Sequence, residues 1–543
     1  MVEKDLRKML NIALKKLDVE QHDIEIEVPK DTTHGDFSTN IAMKLARVLR
    51  KSPMQIAEMI VEEFPNNEVF KEITIAKPGF INFVVDKRIY YNVITEINSE
   101  RELYGSSSIG HGEHYNIEFV SANPTGSLHI GHARGAAAGD SLARILKKAG
   151  YRVTKEFYVN DGGNQIHNLA LSINARYKAL FNEPVEMPED GYYGKEIIAL
   201  AKTIQLEHGD RYLKEDGYAF FRQYGVDYLL DQLKTDLRNF GVEFDIWFSE
   251  AKLYEEKLVE KTIETLKEKD YTYEKDNALW LKTSEFGDEK DRVIIKSDGS
   301  YTYVTPDIAY HKEKLSRGYT KLIDILGGDH HGYVPRLKAA IEMFTGQSDY
   351  LEVDLLQMVK VIQNGEEVKM SKRSGKAITL SDLVEDVGKD PIRYFFAMRS
   401  LNTHMELDLD LALKQTNENP VFYAQYAHAR IASVMRQAAE KGVHVNTLIN
   451  QFETLDSDKI DTLLTVLVDY KNVVEEAATK RIPHKITQYI HRLAQALHSY
   501  YAEEKVITDD ERATKERLAL IHAVKIVLKD ALSLVGVDAK DRM

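Results

Sequence analysis

The sequence predicts an α/β fold: a Rossmann-like parallel sheet in a central region, an α+β domain before it and an all-helical domain after it. Three observations predict it. Residues 115–158 run strand, loop, helix, strand, the form of the opening unit of a parallel sheet. The stretch before them mixes helical with strand patterning. Residues 415–543 carry helical spacing almost throughout.

The N-terminal part runs to about residue 105. In it, His34-Gly35-Asp36-Phe37-Ser38-Thr39-Asn40 leads into a helix with apolar positions Ile41, Ala42, Leu45, Ala46 and Leu49. Lys77-Pro78-Gly79 is a turn feeding the strand Phe80-Ile81-Asn82-Phe83. The central part, about 112–400, opens on a buried strand at 115–121, where β-branched and aromatic residues surround one carboxylate, Glu118. Asn123, Pro124 and Gly126 break that strand. A helix follows, with Leu142, Ile145, Leu146 and Ala149 at helical spacing, and then a second strand at 151–158. Helices interrupt the region from about 165 to 290, with hairpin material around Asp298-Gly299. Residues 358–362 read as another strand, Asn364-Gly365 as a tight turn and Thr379-Leu380-Ser381-Asp382-Leu383 as a capped helix start. The last part, about 415–543, repeats apolar residues at helical spacing, as in Leu518, Leu520, Ile521, Val524, Val527 and Leu528.

Two short motifs carry chemistry. His129-Ile130-Gly131-His132 precedes a helix start rich in Ala and Gly, where small residues allow close approach and unpaired amides favour phosphate oxygens. Its two imidazoles would donate hydrogen bonds as phosphoryl charge develops. Lys369-Met370-Ser371-Lys372, followed by Arg373 and Lys376, places cations in a loop of small residues suited to closing over a triphosphate. Alone, each has a bland reading: a helix-cap histidine pair and a solvated basic loop. Zinc binding at the histidines would need a third ligand, and no thiolate or carboxylate clusters beside them.

Composition bounds the rest. The 543 residues suffice for several domains, and the absence of Cys excludes disulfides and cysteine-based zinc knuckles. No signal peptide or membrane-length apolar run is present, so a soluble cytoplasmic protein is expected. The net charge of −14 is concentrated in the middle, which carries 40 Lys/Arg against 50 Asp/Glu. The near-neutral flanks leave room for basic faces, so an RNA partner is neither supported nor excluded.

The paired motifs resemble those of class I aminoacyl-tRNA synthetases. Residues 117–135, Tyr158-Val159-Asn160-Asp161-Gly162-Gly163-Asn164-Gln165, Tyr303-Val304-Thr305-Pro306-Asp307 and Gly327-Gly328-Asp329-His330-His331-Gly332-Tyr333 narrow the resemblance to arginyl-tRNA synthetases. So do the Gly-Asp-Phe-Ser-Thr-Asn and Pro-Gly-Phe-Ile-Asn-Phe stretches, and the run from Asn419 to Arg430. The resemblance implies an N-terminal tRNA-contacting domain (1–105), a class I catalytic domain (112–400, insertion about 165–290) and a helical anticodon-binding domain (415–543). It implies ATP-dependent ligation of L-arginine to tRNA(Arg) through an arginyl-adenylate, with Mg²⁺, without zinc, by a monomer that touches no membrane. Adenylate formation is expected to need bound tRNA.

By that resemblance, His129, Gly131, His132, Asp329, His330, Lys369, Met370, Ser371 and Lys372 handle ATP, with His129, His132, Lys369 and Lys372 stabilising the transition state. Glu118, Asn123, Tyr303 and Asp307 contact arginine, while Ser121, Ala122 and His132 line its amino-acid end. Chemistry agrees, because a forked guanidinium pairs with carboxylates as an ammonium does not. Glu118, Asp307 and Tyr303 each have a plainer alternative: a place at the sheet surface or a pair with a protein Arg, a helix N-cap, and a core ring. Some family members carry a Gln just before the downstream Asp-x-His element, and this chain has Gly327-Gly328 there. A pocket built on guanidinium hydrogen bonds needs no editing site, so the insertion reads as scaffold.

Overall fold

The structure is a computed structural model that describes residues 2–19, 23–29, 31, 34–368, 378–445, 449 and 451–543. Its centre is a five-stranded, wholly parallel sheet. The strands are β1 (His114–Glu118), β2 (Arg152–Val159), β3 (Ile246–Ser249), β4 (Lys321–Gly327) and β5 (Leu351–Leu356), in the spatial order β5-β4-β1-β2-β3. The order reverses between β1 and β4, and that reversal opens a crevice at the carboxyl ends of the two strands. Helix α1 (Ile130–Lys148) makes the first crossover. It lies close on the sheet because its inner face is small: a Cβ at Gly139 would fall 2.3 Å from the Phe119 ring.

Two expectations are revised. The strand expected over 115–121 stops at Glu118, because Val120 and Ser121 take positive φ values of 72° and 42°. Such backbone is costly for a β-branched residue and turns the chain toward α1. The helices between 165 and 290 do not run unbroken, since Ile246–Ser249 rejoins the main sheet as β3. The helices Gly163–Ala179, Lys195–His208 and Tyr218–Asn239 pack round their own core of Leu169, Ile173, Ile197, Ile204 and Phe221. A three-stranded antiparallel sheet (Thr272–Lys275, Ala278–Leu281, Arg292–Ile295) then precedes α2 (Val304–Ser316).

Beyond β5, strand β6 (Val359–Gln363) turns at Asn364-Gly365, both at positive φ, and pairs in parallel with β7 (Met405–Asp408). Helix α3 (Lys389–Ala397) leads to four long helices: α4 (Pro420–Glu440), α5 (Asp458–Thr479), α6 (His484–Glu503) and α7 (Glu511–Leu534). The N-terminal region is a four-stranded antiparallel sheet with helices, joined to the centre through the helix Tyr91–Glu100. That helix is tied to α7 by Asn98, which donates to the Ala519 carbonyl and meets the His522 ring nitrogen at 2.7 Å.

One buried ion cluster joins five segments. Asp140 of α1 accepts from Arg393 of α3 at 2.7 Å and from Arg144 and Lys155 at 2.7 and 2.9 Å. Arg393, wholly buried, also donates to the carbonyls of Val535, Phe240 and Gly241. Burial works against the Asp140 charge, but the three cations outweigh it and hold the carboxyl well below its usual range. Among the described residues, no helix is long and apolar enough to cross a membrane.

Candidate active site

The crevice where strand order reverses is a cleft of about 690 Å³, bounded by Ser121, His129, His132, Asp329, His330 and Gln357 among others. The sequence builds the first wall locally. His129 is the N-cap of α1, and its Nδ1 accepts from the Gly131 amide at 3.0 Å. His132 reaches back one turn, its Nδ1 accepting from the His129 amide at 3.2 Å, so the two form a capping box made of imidazoles. The rings stack with centroids 3.7 Å apart. A side chain at Gly131 would put its Cβ 2.9 Å from His129 Cε1, so the arrangement requires glycine there.

This geometry sets the protonation state. Both Nδ1 atoms accept, so in each neutral ring the proton sits on Nε2. Burial lowers both histidines, and with its neighbour it takes His132 down to about 4. At neutral pH both present an uncharged Nε2–H donor. Asp329 and His330 follow β4 on the opposite wall and are open to solvent, with side chains 86% and 50% exposed.

Lys369, Met370, Ser371 and Lys372 lie outside the described residues. The described residues after them are fastened to the first motif: Thr379 bridges His129, and the Leu380 amide donates to the Leu128 carbonyl at 2.7 Å. Thr379 caps its helix as the sequence predicts, in a capping box with Asp382.

Beside the cleft, toward β2 and β3, an acidic pocket forms from Asp161, Glu250 and Asp307. Asp307 lies in the first turn of α2 and accepts from the Tyr333 hydroxyl at 2.6 Å. Asp161 accepts from Ser249 Oγ and the Ala251 amide at 2.6 and 3.0 Å. Glu250 is half-buried, and no hydrogen bond or ion pair engages its carboxylate among the described residues. Burial, then Asp161 and Asp307, push it up to about 7. Asn123 donates to Gln165 Oε1 at 2.6 Å, Ala122 is buried, and Tyr303 stands 96% exposed one helical turn before Asp307.

Glu118 is where the structure departs most from expectation. It is 6% exposed, and its cation is Lys314 of α2, wholly buried, which donates to Oε2 and lies 3.2 Å from Asp324 Oδ1. Ser121 donates to the other oxygen, Oε1, at 2.9 Å. His311, also on α2, meets Asp324 Oδ2 at 2.7 Å and the Asp307 carbonyl at 2.8 Å. Burial opposes the Lys314 charge, but Asp324, Glu118 and Glu156 outweigh it and hold the ammonium protonated. Glu118, Asp324, Lys314 and His311 thus bolt α2, the helix that presents Asp307, to two adjacent strands. Glu118, His311 and Asp324 are close enough to ligate a metal. Lys314 already supplies the positive charge there, so the cluster does not fit a cation site.

Several of these residues escaped the sequence reading. Asp324 interrupts the apolar run Leu322-Ile323-Asp324-Ile325-Leu326 as Glu118 interrupts β1, so its burial was signalled. Lys314, Glu250 and Tyr333 sit in patterns that look like ordinary helix surface or core.

The catalytic-domain model of class I tRNA synthetases (R) matches residues 93–395. The chain belongs to the arginyl-tRNA synthetase family. The arginyl tRNA synthetase N-terminal domain model matches residues 4–85, and the DALR anticodon binding domain model matches 424–543. An arginine–tRNA ligase of Bacillus subtilis is 52% identical over 96% of this chain and 94% of its own length. One of Geobacillus thermodenitrificans is also 52% identical, over the same shares. The crystal structure of a Campylobacter jejuni protein described as an arginyl-tRNA synthetase matches with a TM-score of 0.78 at 38% identity, covering 84% of this chain and all of that one. The Thermus thermophilus arginyl-tRNA synthetase, at 20% identity and a TM-score of 0.74 over the whole of both chains, shares the fold. The α/β centre with an N-terminal domain and a helical C-terminal domain is therefore the architecture of this family.

Proposed function

We propose that the cleft carries the ATP-dependent ligation of L-arginine to tRNA through an arginyl-adenylate. The observation that supports it is the juxtaposition of two neutral imidazole donors at the head of α1 with an acidic pocket in which, among the described residues, no ion pair engages the Asp161, Glu250 or Asp307 carboxylate. A triphosphate laid against α1 meets His129, His132 and unpaired helix amides. A guanidinium entering the pocket meets Asp307 and Glu250, two carboxylates on different helices that can each take one side of its planar fork. Tyr303, on the Asp307 face of α2, would cover that fork, while Ser121 and Asn123 flank the amino-acid end. Glu118 acts beneath the pocket as a positioning residue.

Reaction follows from this placement. The arginine carboxylate attacks the α-phosphorus and pyrophosphate leaves; the tRNA ribose hydroxyl then attacks the acyl carbon, the acyl–phosphate bond breaks, and AMP departs as the hydroxyl proton is lost. No protein nucleophile is needed. His129 and His132 donate to the phosphoryl oxygens, and Lys369 and Lys372 meet the departing pyrophosphate. Asp329 and His330 face the nucleoside. Mg²⁺ would arrive with the triphosphate, since the described residues offer it no cage. The N-terminal and helical domains are read as the tRNA-contacting and anticodon-binding parts, and adenylate formation as dependent on bound tRNA. The chain is read as acting as a monomer.

Charging of purified tRNA with labelled arginine, against a panel of other amino acids, tests this reading. Arginine alone should be ligated, and ligation should fall sharply in Lys372→Ala. Equal charging with lysine would refute the assignment of the acidic pocket.

A further inference from the structure

Gln357 follows β5 and, among the described residues, is the only carboxamide lining the cleft. Its backbone is held from both sides. Its amide donates to the Leu401 carbonyl at 2.9 Å, and its carbonyl accepts from Arg134 Nη1 at 2.6 Å. Arg134, wholly buried in α1 two residues after His132, also donates to the carbonyls of Ser400 and Thr403 at 2.8 and 3.0 Å. The guanidinium therefore fixes residue 357 relative to the helix that presents the two histidines.

The side chain is placed differently. β5 lies one strand farther from the strand-order reversal than β4, so a residue at its end would ordinarily be screened from the reacting atoms. It is not screened here, because β4 ends in glycines. A Cβ on Gly328 would lie 3.1 Å from Gln357 Nε2 and 3.2 Å from its Oε1. The carboxamide thus occupies the space a side chain at 328 would need, at the end of β4, and it lines the same cleft as Ser121. Among the described residues its nitrogen and oxygen have no hydrogen-bond partner. A fixed backbone carrying an unengaged amide in a substrate cleft is an arrangement for binding a group that is not part of the protein.

We propose that Gln357 contacts the α-carboxylate of the substrate arginine, its Nε2 donating to the oxygen that stays on the acyl carbon when the adenylate forms. The glycine pair at 327–328 makes room for an amide supplied from the neighbouring strand. The inference rests on the cleft being the adenylate site.

Four variants test it: Gln357→Ala, Gln357→Glu, Gly328→Gln and the double variant Gly328→Gln/Gln357→Ala. Gln357→Ala should raise the arginine KM by roughly tenfold or more, tenfold being the low end of the worth of a hydrogen bond to a charged group, and leave the ATP KM within about twofold. Gln357→Glu should do worse, because it sets a carboxylate against a carboxylate. Gly328→Gln alone should lose activity through collision with Gln357, and the double variant should recover most of it. Agmatine, which lacks the carboxyl carbon and both its oxygens, should bind Gln357→Ala and the unaltered chain equally. A rise in ATP KM instead of arginine KM, a double variant no better than the worse single, or unchanged kinetics in Gln357→Ala would each overturn the proposal. Failure of agmatine to bind the unaltered chain would instead count against the acidic pocket as the guanidinium site.

Discussion

Replacing Lys314 with Met should destabilise the central region while removing no group assigned to contact a substrate. The magnitude follows from what the ammonium faces. Lys314 is wholly buried, paired with Glu118 and 3.2 Å from Asp324. Removing one partner of a buried pair costs about 3–5 kcal/mol, because the other charge stays behind unpaired. Here two carboxylates stay behind, but Asp324 keeps His311 at 2.7 Å and Glu118 keeps Ser121 at 2.9 Å. Glu118 can also take up a proton, since burial already drives its carboxyl upward. The lower half of that range, about 3–4 kcal/mol, is therefore expected near neutral pH. The pH dependence has a definite sign. In Lys314→Met the folded-state pKa of Glu118 lies above its unfolded value, so the folded form binds more protons between the two. Stability relative to the unaltered chain then falls as pH rises through that window, and the deficit shrinks on acidification toward about 5. Urea titrations of Lys314→Met, Glu118→Gln and the double variant at several pH values measure this. The double variant should show a coupling of roughly 1–3 kcal/mol between the sites. If Glu118→Gln unfolds like the unaltered chain while its arginine KM rises steeply, Glu118 addresses the guanidinium directly and the positioning role assigned to it is wrong.

Three further outcomes are expected. Glu250, pushed up to about 7 by burial and by Asp161 and Asp307, should lose its proton when a guanidinium binds. Arginine affinity should then rise as pH climbs through about 7 and level off, with proton release visible by calorimetry in buffers of different ionisation enthalpy; Glu250→Gln should flatten both, and an unchanged profile would exclude Glu250 from the pocket. Lys372→Ala should lower turnover by about 2–4 kcal/mol of transition-state stabilisation, by analogy with oxyanion donors, while arginine binding stays nearly intact; equal losses in both would contradict its role. Asp307→Asn should impair arginine binding and spare ATP binding, which titration with each ligand separately would decide.

The framework was legible because its signals are local. α1 is readable in its alanines and glycines, β1 and β2 in their apolar runs, and the turn at Asn364-Gly365 in its residue types. The site was legible in its motifs and less so in its wiring. That Glu118 needs a cation follows from its apolar strand; that the cation is Lys314, 196 residues away, depends on how α2 docks, which no local pattern encodes. The early end of β1 is hidden for a related reason. Nothing in Val120-Ser121 announces positive φ, and that conformation is imposed by the path the chain takes to reach His129. Ile246–Ser249 is too short a run to separate from helical surroundings by spacing alone.

The Arg393 cluster bears on the order in which the polypeptide can assemble. The Asp140 carboxylate sits on the helix that carries both histidines, and the guanidinium that answers it is 253 residues downstream. That guanidinium is itself completed by the Val535 carbonyl, a further 142 residues along. As the ribosome delivers the chain, the central sheet can form early. Asp140 then already has Arg144 and Lys155, but the Arg393 guanidinium that is to be buried against it lacks its Val535 acceptor until the end of the helical domain has arrived. A nascent or clipped chain ending before Val535 would hold every residue of the cleft and yet keep the seat of α1 unsettled. Competence to activate an amino acid would thus be acquired late, and only by a chain that already carries most of its helical domain.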